Sequence, residues 1–594
     1  MYLKCHNRLK DGKEHRYWSV VESVRTRRGV IKRHLLYLGE INDTQRAQWC
    51  SALDVLDGSN PTSVKQMSFF PEDRTPPPEV INPVQIRLNQ MSLHHPRQWG
   101  GCWLAMELWN HLGLDGFWRS RLPLSRKGTV WLNVLKTLVS YRLLDPGSEW
   151  RLHREWFKNS AMRDLLGEDD GVAAKNTLYR CHDKLCGHKQ ELFSFLKSQW
   201  SLLFHTSYDV VLYDLTSTYF ECDPPEKSDG LRRFGYSRDK RSDCVQVVIA
   251  LIITPEGFPI AYEVMPGNTS DKTTLPGFLY KIEKQYGKRN RLWIMDRGIP
   301  TEEALKQMRA EGASYLVGTP RGRLSKLEEQ LFAQPWKQVQ VQIEVKLARD
   351  GEDLYVLTRS GGRRDKEQSM RRRKLKKLWK RLHEIRGMKN LQRDNLLLKL
   401  GAAKQEAGNV WELVDIQLPA HSQAVTNKTF AFNLNPEKLR RARRGEGTYL
   451  LRTNLRAGQP EELWKQYIVL TEVEQAFKEL KNDLNIRPIY HKKDSRIEAH
   501  IFVSFLSYCL QVTLKQRAKA KAPGLTPRTI LEKFKAMQMI DVHLPTTDNR
   551  NLILPRYTQP EKDLQLLLHQ LDLTLPNQPP PRIEDLKRKC GADL

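Results

Sequence analysis

The chain has 594 residues, which is too many for one ordinary hydrophobic core and predicts several domains. A formal net charge of +28, on a chain with 40% hydrophobic residues, indicates a folded protein whose partner is a polyanion. Nucleic acid is the first candidate; an anionic membrane surface and a generally solvated surface are the alternatives. The scattered cysteines argue against a zinc finger or a disulfide framework. Without a recognisable spanning run or signal peptide, the sequence predicts a cytoplasmic protein with no membrane role.

The N-terminal region, residues 1–66, is predicted to contain a basic β-hairpin. Residues 17–25 alternate between apolar and polar side chains, a turn follows, and residues 30–39 return. Arg27 and Arg28 lie at the turn, from which they could contact a DNA backbone. A small surface ribbon with solvated charges is an equally good interpretation.

Two further regions precede the part of the chain that carries chemistry. The prolines of residues 71–83 predict a semi-rigid linker within residues 67–98. Apolar side chains at three- and four-residue spacing predict a helical domain over residues 99–205. Residues 145–148 are expected to break one helix and cap the next. The aromatic stripe of this domain favours core packing, and binding of a DNA end is the functional alternative.

Over residues 206–320, short apolar strands alternate with helices, which predicts an α/β sheet. Residues 244–253 and 258–264 are predicted to form a hairpin, and Thr301 is predicted to cap a helix that runs to about residue 310. One strand is predicted to end at Asp214 and another at Asp296. A carboxylate beside a sheet core is costly unless it is paired or bound to a metal, and ligand sites favour the carboxyl ends of strands. Turn chemistry is the alternative for either aspartate alone. Arg297 is expected either to contact DNA or to pair with a carboxylate.

Residues 321–455 interrupt this alternation and predict an inserted α+β domain. Residues 371–381 are mostly basic, while Leu375, Leu378 and Leu382 fall on one helical face, so an amphipathic basic helix is expected. Its cations are predicted to contact DNA phosphates, with an affinity that falls steeply as salt rises. These cations are Arg371, Arg372, Arg373, Lys374, Lys376 and Lys377. A solvated helix face is the alternative.

A third carboxylate is expected on a helix over residues 461–481. Tyr467, Glu474 and Lys481 follow one another at intervals close to two helical turns, so all three should project on one stripe. Glu472 would lie near the opposite face. The stripe offers a metal ligand flanked by two phosphate contacts. On spacing alone, an ordinary charged helix face is the better interpretation.

Three elements of this sequence resemble insertion-sequence transposases of the DDE class. They are the strand that carries Asp214, the segment around Asp296, and the helix of Tyr467, Glu474 and Lys481. The family has a ribonuclease H-like core and a signature of tyrosine, arginine, glutamate and lysine. The tyrosine, glutamate and lysine of this chain match that signature in place.

The arginine position of the signature is occupied by Leu470. Any phosphate contact that the family makes there must come from another cation in this chain. Lys465, Lys478 and Arg487 are the candidates. The departure leaves the three acidic residues unchanged.

The resemblance implies a multidomain α/β fold. A ribonuclease H-like mixed sheet, flanked by helices, would be interrupted by the inserted α+β domain and preceded by the N-terminal β-hairpin and helical domains. The first part of the catalytic core is expected in residues 206–320 and the second in residues 456–535. A C-terminal region would occupy residues 536–594.

The resemblance also implies a site for two Mg²⁺ ions, with Mn²⁺ as an alternative, held by Asp214, Asp296 and Glu474. Asp214 would contact both ions and each of the other two residues one ion. Water would free a 3′-hydroxyl at the transposon end, and that hydroxyl would attack target DNA. Tyr467 and Lys481 would position phosphates of the end.

The implied partners are the terminal inverted repeats and the target DNA, bound by a homodimer in a synaptic complex. The protein would be cytoplasmic and would associate with the bacterial nucleoid when bound to DNA. Two alternative functions are also consistent with the same residues. One is a non-catalytic DNA-binding protein on the same fold, and the other is a metal-dependent DNA nuclease that does not rejoin what it cuts.

Overall fold

The computed structural model describes most of the chain, as two compact units. The first unit contains Met1–Arg8, His15–Arg289 and Leu470–Leu594, and the second contains Leu9–Glu14 and Asn290–Val469. The described residues are 2–10, 13–26, 29–42, 45–46, 49–50, 86–126, 128–225, 230–287, 291–296, 298–319, 335–340, 342–388, 391–420, 423–426, 428–455 and 459–585. The proline-rich stretch expected to form a linker lies outside them.

Strands and helices alternate irregularly along the described chain. The strands are β1 (Tyr2–Lys10), β2 (Lys13–Thr26), β3 (Gly29–Gly39), β4 (Ser92–Gln98), β5 (Val210–Tyr219), β6 (Gln246–Ile253), β7 (Pro259–Pro266), β8 (Leu292–Met295), β9 (Ser314–Thr319), β10 (Lys337–Gln340), β11 (Ile343–Asp350), β12 (Asp353–Ser360), β13 (Val414–Gln417), β14 (Ala431–Leu434), β15 (Thr448–Thr453), β16 (Gln538–Pro545), β17 (Arg550–Tyr557) and β18 (Arg582–Asp585). The longer helices are Gly100–His111, Trp131–Leu144, Lys175–His182, Lys189–Phe204, Asp271–Tyr286, Glu302–Ala310, Gly361–Arg386, Arg393–Ala407, Pro436–Gly445, Pro460–Ile468, Thr471–Lys478, Asp494–Lys521, Pro527–Phe534 and Lys562–Gln570. Shorter helical segments are Leu114–Arg119, Glu149–Arg151 and Met162–Leu166, with π turns at Leu152–Trp156 and Glu479–Asp483.

The N-terminal strands form a three-stranded sheet in the order β1-β2-β3. The predicted hairpin is confirmed, because β2 and β3 pair antiparallel and Val20 faces Leu36 across the ladder. Both side chains are buried. Strand β1 was not predicted, since its sequence has few of the β-branched residues that favour strands.

The region of residues 99–205 is helical, as predicted. Ser148 caps the segment Glu149–Arg151, because its hydroxyl accepts a hydrogen bond from the backbone N–H of Arg151 at 3.3 Å. Helix Trp131–Leu144 packs along helix Asp494–Lys521. Sequence-distant segments therefore share the core of the first unit.

The helix Asp494–Lys521 is long and apolar enough to cross a membrane by length and composition alone, with a mean hydropathy of 1.4 over its most apolar window. This differs from the expectation that no such run exists. In the first unit 94% of that window is buried. The helix therefore serves as a core helix, and its apolar composition is explained by packing on all sides.

Strands β5, β6 and β7 form an antiparallel meander in the first unit. The predicted β6–β7 hairpin is confirmed, and Gly257 takes a positive φ of +96° in its turn, which glycine adopts without strain. Every residue of β6 is buried. A strand covered on both faces is expected to read as a continuous apolar run, as this one does.

A second sheet of the first unit has the order β18-β17-β16-β4. Strand β4 falls in the region expected to be a linker, but it pairs with β16. Arg97 of β4 is buried and donates to Asp164 at 2.6 Å and to Asp541 at 3.0 Å. The partners lie far along the chain, so no local pattern marks this strand.

The second unit contains a mixed sheet in the order β10-β11-β12-β15-β9-β8. Strands β8 and β9 are parallel, and the other neighbours are antiparallel. As predicted, Thr301 caps helix Glu302–Ala310, accepting from the N–H of Ala304 at 3.1 Å. These features make the chain a mixed α/β protein with a large sheet and many helices.

The predicted basic helix is confirmed as Gly361–Arg386 in the second unit. Together with helix Arg393–Ala407 it encloses a separate hydrophobic cluster. The buried members are Leu378, Leu382, Ile385, Leu396, Leu400, Ala403, Ala407, Val410, Leu413, Val414, Phe430 and Phe432. The apolar stripe of the helix is thus covered, and most of its basic residues lie exposed on the other faces.

Candidate active site

Asp214 lies in the middle of strand β5, between Tyr213 and Leu215. The prediction that the strand ends at this residue is wrong, because pairing with β6 continues to Tyr219. Alternating threonines after Asp214 explain the extension, since β-branched residues favour strands. The carboxylate is half-buried, and its Oδ1 accepts a hydrogen bond from the N–H of Leu215 at 2.8 Å.

Asp296 follows strand β8 directly, as predicted. All four residues of β8 are buried, whereas Asp296 is exposed. Its carbonyl oxygen accepts from the N–H of Ile299 at 3.3 Å, which closes a turn. An acidic side chain is therefore presented at the carboxyl end of a buried parallel strand. The neighbouring Arg297 lies outside the described residues.

The helix predicted over residues 461–481 is broken into three segments. Tyr467 lies on helix Pro460–Ile468, Glu474 on helix Thr471–Lys478, and Lys481 in the π turn that follows. The prediction of one continuous stripe is wrong. The break falls in a run of β-branched residues, which have low helix propensity, and the π turn shifts the phase of Lys481.

Glu474 is exposed in the first turn of its helix. The nearby Glu472 pairs with Lys515 at 2.8 Å on the core helix. Glu472 is half-buried and Glu474 is exposed, so the two glutamates of this helix differ in their access to solvent. Tyr467, in the second unit, is half-buried and stacks with Tyr449 at a ring distance of 6.0 Å.

Leu470, at the position of the signature arginine, is buried in the first unit with 6% of its surface exposed. It begins the glutamate helix and serves packing. Lys465 and Lys478, two of the three cations that could replace the signature arginine, are exposed. Lys465 pairs with Glu461 on its own helix. The third candidate, Arg487, has a different environment.

Arg487 and Lys481 share one carboxylate, that of Asp239. Lys481 Nζ lies 2.9 Å from Asp239 Oδ1, and Arg487 also forms an ion pair with that oxygen. The side chains of Asp239 and Lys481 are 10% and 11% exposed. This cluster of one acid and two cations was not predicted, and nothing in the polar segment around Asp239 marks it.

The protonation of this cluster follows from its burial. Burial alone would raise the pKa of Asp239, but hydrogen bonds from Arg487 and Lys481 outweigh it and hold the pKa below its usual value. Burial lowers the pKa of Lys481, although Asp239 opposes the shift. The carboxylate oxygen of Asp239 binds both Lys481 and Arg487, so it occupies the position that a phosphate oxygen could take between them.

The basic helix presents most of its predicted phosphate contacts to solvent. The exposed ones are Arg372, Arg373, Lys374, Lys376 and Lys377. Arg371 departs from the prediction, because its guanidinium is buried and forms two hydrogen bonds with Glu446. A buried arginine with such a partner has a structural role. Arg27 and Arg28, predicted at the hairpin turn, lie outside the described residues.

A second basic helix, Pro436–Gly445, was missed. Arg440, Arg441, Arg443 and Arg444 are exposed on it. Leu439 and Ala442 of the same helix pack on the hydrophobic cluster of the first basic helix. The signal was present in the sequence as a proline at the helix start followed by a run of arginines.

A buried polar cluster surrounds Glu149 in the first unit. His182 Nε2, His491 Nε2 and His500 Nδ1 lie 3.3, 3.2 and 3.6 Å from Glu149 Oε1. Within the described part of the chain, Glu149, His491 and His500 also form a group whose donor atoms are close enough to hold a metal ion. His500 is 2% exposed and belongs to this polar network.

The three acidic residues of the candidate site offer carboxylate oxygens only. Hard divalent cations such as Mg²⁺ prefer oxygen ligands, so the donor set fits the ions expected there. Asp214 and Glu474 lie in the first unit and Asp296 in the second.

Comparison with known proteins gives one informative match. The sequence profile of a family described as "Transposase DDE domain" matches residues 206–510, more than half of the chain. No curated protein matches. Among solved structures, the cryo-EM structure of a piggyBac transposase synaptic complex with hairpin DNA aligns at 8% identity and a TM-score of 0.34, over 73% of this chain and 79% of that chain. A likeness at that level carries no conclusion about this site.

Proposed function

Since the chain belongs to the transposase DDE domain family, we propose that it cleaves DNA at transposon ends and joins the freed 3′-hydroxyl to target DNA. The observation that carries this proposal is the family match over residues 206–510, which includes Asp214, Asp296 and Glu474. A ribonuclease H-like arrangement of the catalytic core is part of the proposal. We also propose that the protein acts inside the cell, because its proposed DNA substrate is found there.

Asp214, Asp296 and Glu474 are proposed to hold two Mg²⁺ or Mn²⁺ ions. Asp214 would contact both, Asp296 one and Glu474 the other. When bound, the ions activate the attacking oxygen and neutralise charge on the leaving oxygen of a phosphodiester. The exposed position of Asp296 and Glu474 supports this role, because ions and DNA phosphates can reach both carboxylates from solvent.

Lys481 and Arg487 are proposed to bind a phosphate near the cleaved end. Both already share the oxygen of Asp239, so they converge on a single anionic atom. Two converging cations could hold a phosphate in the same way. Arg487 would then supply the charge that the family signature places at the position of Leu470. Tyr467 is proposed as a further contact to the end.

The two basic helices of the second unit are proposed to lie along DNA phosphates. Their exposed cations are Arg372, Arg373, Lys374, Lys376 and Lys377 on the first helix and Arg440, Arg441, Arg443 and Arg444 on the second. Contacts of this kind give affinity without sequence preference. Terminal inverted repeats and target DNA are the proposed ligands, bound by a homodimer that brings two ends together.

Removing one carboxylate at a time tests the catalytic proposal. We expect Asp214→Asn, Asp296→Asn and Glu474→Gln each to lower Mg²⁺-dependent cleavage by at least about a thousandfold and to leave DNA binding in place, because a ligand to the ions is removed. Cleavage is measured on a supercoiled plasmid carrying the element's own terminal repeats. Filter binding of a terminal duplex measures affinity in the same variants.

Glu472→Gln is the matched control, since it changes the same helix two residues away and touches Lys515. It should retain cleavage. Full cleavage by any of the three carboxylate variants would contradict the assignment of that residue. Cut ends without products joined to target would favour a nuclease, and binding without cleavage by the unaltered protein would favour a non-catalytic DNA-binding protein.

A further inference from the structure

The Arg487 loop, defined as residues 485–491, connects the π turn of Lys481 to the long core helix. Its backbone is held at several points. Arg142 Nη1 donates to the carbonyl of Asn485 at 3.2 Å, and the N–H of Ile489 donates to the carbonyl of Tyr219 at 3.2 Å. The loop thus has fixed contacts on both sides of Arg487.

His500 supplies a further anchor. Its Nε2 lies 3.3 Å from the carbonyl oxygen of Ile486, the residue just before Arg487. A carbonyl only accepts, so Nε2 carries the proton in this contact. The other ring nitrogen, Nδ1, then accepts from Arg142 Nη2 at 3.4 Å. One arginine and one histidine therefore fix two consecutive carbonyls.

Glu149 is the centre of these anchors. It lies 4.0 Å from Arg142, 3.6 Å from His500 and 3.2 Å from His491, which ends the Arg487 loop. Its side chain is only 4% exposed. Burial alone would raise the pKa of Glu149, but hydrogen bonds from His182 and His491 outweigh it and hold the pKa well below its usual value. The carboxylate is therefore charged, and its orientation is fixed from several directions.

The donor set of this network would also suit zinc, but its charge is already balanced. Arg142 is 4% exposed and provides the positive charge beside Glu149. It also occupies the side of His500 Nδ1 that a metal ion would need. A divalent ion added at this position would leave an excess of positive charge in a buried place, which is costly.

We propose that Glu149, acting through Arg142, His491 and His500, is a positioning residue that holds the Arg487 loop for DNA-end binding. The inference rests on the proposed role of Lys481 and Arg487. Glu149 is separated from Arg487 by more than three hundred positions in sequence, yet it contacts His491 at 3.2 Å and pairs with Arg142 at 4.0 Å. Arg142 in turn holds the carbonyl of Asn485 directly and that of Ile486 through His500. The network explains why polar residues from three separate parts of the sequence, around 142–149, 182 and 491–500, are buried together.

A thermodynamic cycle tests this coupling. In a protein that keeps Arg487, Glu149→Gln should lower the affinity for a terminal-repeat duplex about tenfold, because the loop loses its anchor. In an Arg487→Gln background the same change should cost little further affinity. Binding is measured by fluorescence anisotropy without divalent ions, so the result does not depend on cleavage.

The matched control is Asp164→Asn, which removes a partner of the buried Arg97 in the same unit. It should lower stability without any dependence on Arg487. If Glu149→Gln lowers affinity equally in both backgrounds, Glu149 has a general structural role and the proposal is overturned. If Arg487→Gln itself leaves affinity unchanged, the proposed end contact fails, which is a separate result.

Hydrogen exchange provides a readout that needs no DNA. In Glu149→Gln the backbone amides of Ile486, Arg487 and residues 489–491 should exchange at least about tenfold faster, while those of helix Gly100–His111 stay protected. Unchanged exchange in the Arg487 loop would overturn the proposal. So would stoichiometric zinc in the purified protein, measured by mass spectrometry, because a bound ion would then be the anchor.

Discussion

Positive charge is used in two opposite ways in this chain. Lys481 and Arg487 are largely buried on a single carboxylate, Asp239, whereas most cations of the basic helix Gly361–Arg386 face solvent. A buried charge is costly without its partner, so each member of the first group matters individually. An exposed charge is screened and contributes to a sum. The buried cluster can therefore fix the position of one phosphate. The exposed helix can only add to the general electrostatic attraction between the protein and DNA.

Removing Asp239 should have the largest effect on stability. Asp239→Asn leaves two partly buried cations facing each other, and we expect the free energy of unfolding to fall by about 3 kcal/mol, the lower end of the range for broken buried pairs, because Arg487 is partly exposed. Affinity for the terminal duplex should be retained or increased, because a phosphate no longer competes with the carboxylate. Urea unfolding and fluorescence anisotropy measure the two quantities.

The control for this change lies four residues away. Asp243 pairs with Arg241, but its side chain is 64% exposed. Asp243→Asn should leave both stability and DNA affinity essentially unchanged, because water replaces the missing partner. Equal destabilisation by the two substitutions would remove the distinction between buried and exposed charge in this chain.

The same distinction explains what could be predicted from sequence. The hairpins, the helix after Thr301 and the amphipathic basic helix depend on local periodicity and capping, and all were predicted correctly. Asp296 at the end of a buried strand belongs to the same class, because an apolar run and the acid that follows it are adjacent in sequence.

Long-range partners could not be predicted. The carboxylate of Asp239 is 242 residues from Lys481, and strand β4 pairs with β16 across an even longer separation. No local pattern encodes such contacts. The break before Glu474 was missed for a different reason. The prediction relied on the helical spacing of Tyr467, Glu474 and Lys481, whereas the weak helix propensity of the neighbouring β-branched residues ends the first helix at Ile468. The grouping of Asp214, Asp296 and Glu474 as metal ligands stays a prediction.

The buried histidines should make stability depend on pH. Burial, reinforced by the charge of Arg142, lowers the pKa of His500 to about 3, and burial also lowers the pKa of His182. In the unfolded chain histidine takes up a proton near pH ~6.5. Stability is therefore full above that pH and falls as the pH drops towards 3, by up to about 1.4 kcal/mol per pH unit for each histidine.

Urea unfolding at a series of pH values between 7 and about 4 measures this dependence. His500→Asn should make the slope shallower, because one fewer proton is taken up on unfolding. His569, which is exposed, provides the control, and His569→Asn should keep the slope of the unaltered protein. A slope that is the same in all three proteins would show that the charge network around Glu149 does not govern acid stability.

The exposed basic helix should show the smallest effect on stability and a separate effect on DNA binding. Replacing Arg372, Arg373, Lys376 and Lys377 with glutamine should change unfolding little, since these side chains are exposed. The slope of the logarithm of the DNA-binding constant against the logarithm of salt concentration should fall by about 0.9 for each phosphate that the helix no longer neutralises. Anisotropy titrations over a salt series measure that slope. Lysine in place of Arg372 and Arg373 keeps the charge and should keep the slope, so a shallower slope with lysine would mean that geometry, and not summed charge, determines binding at this helix.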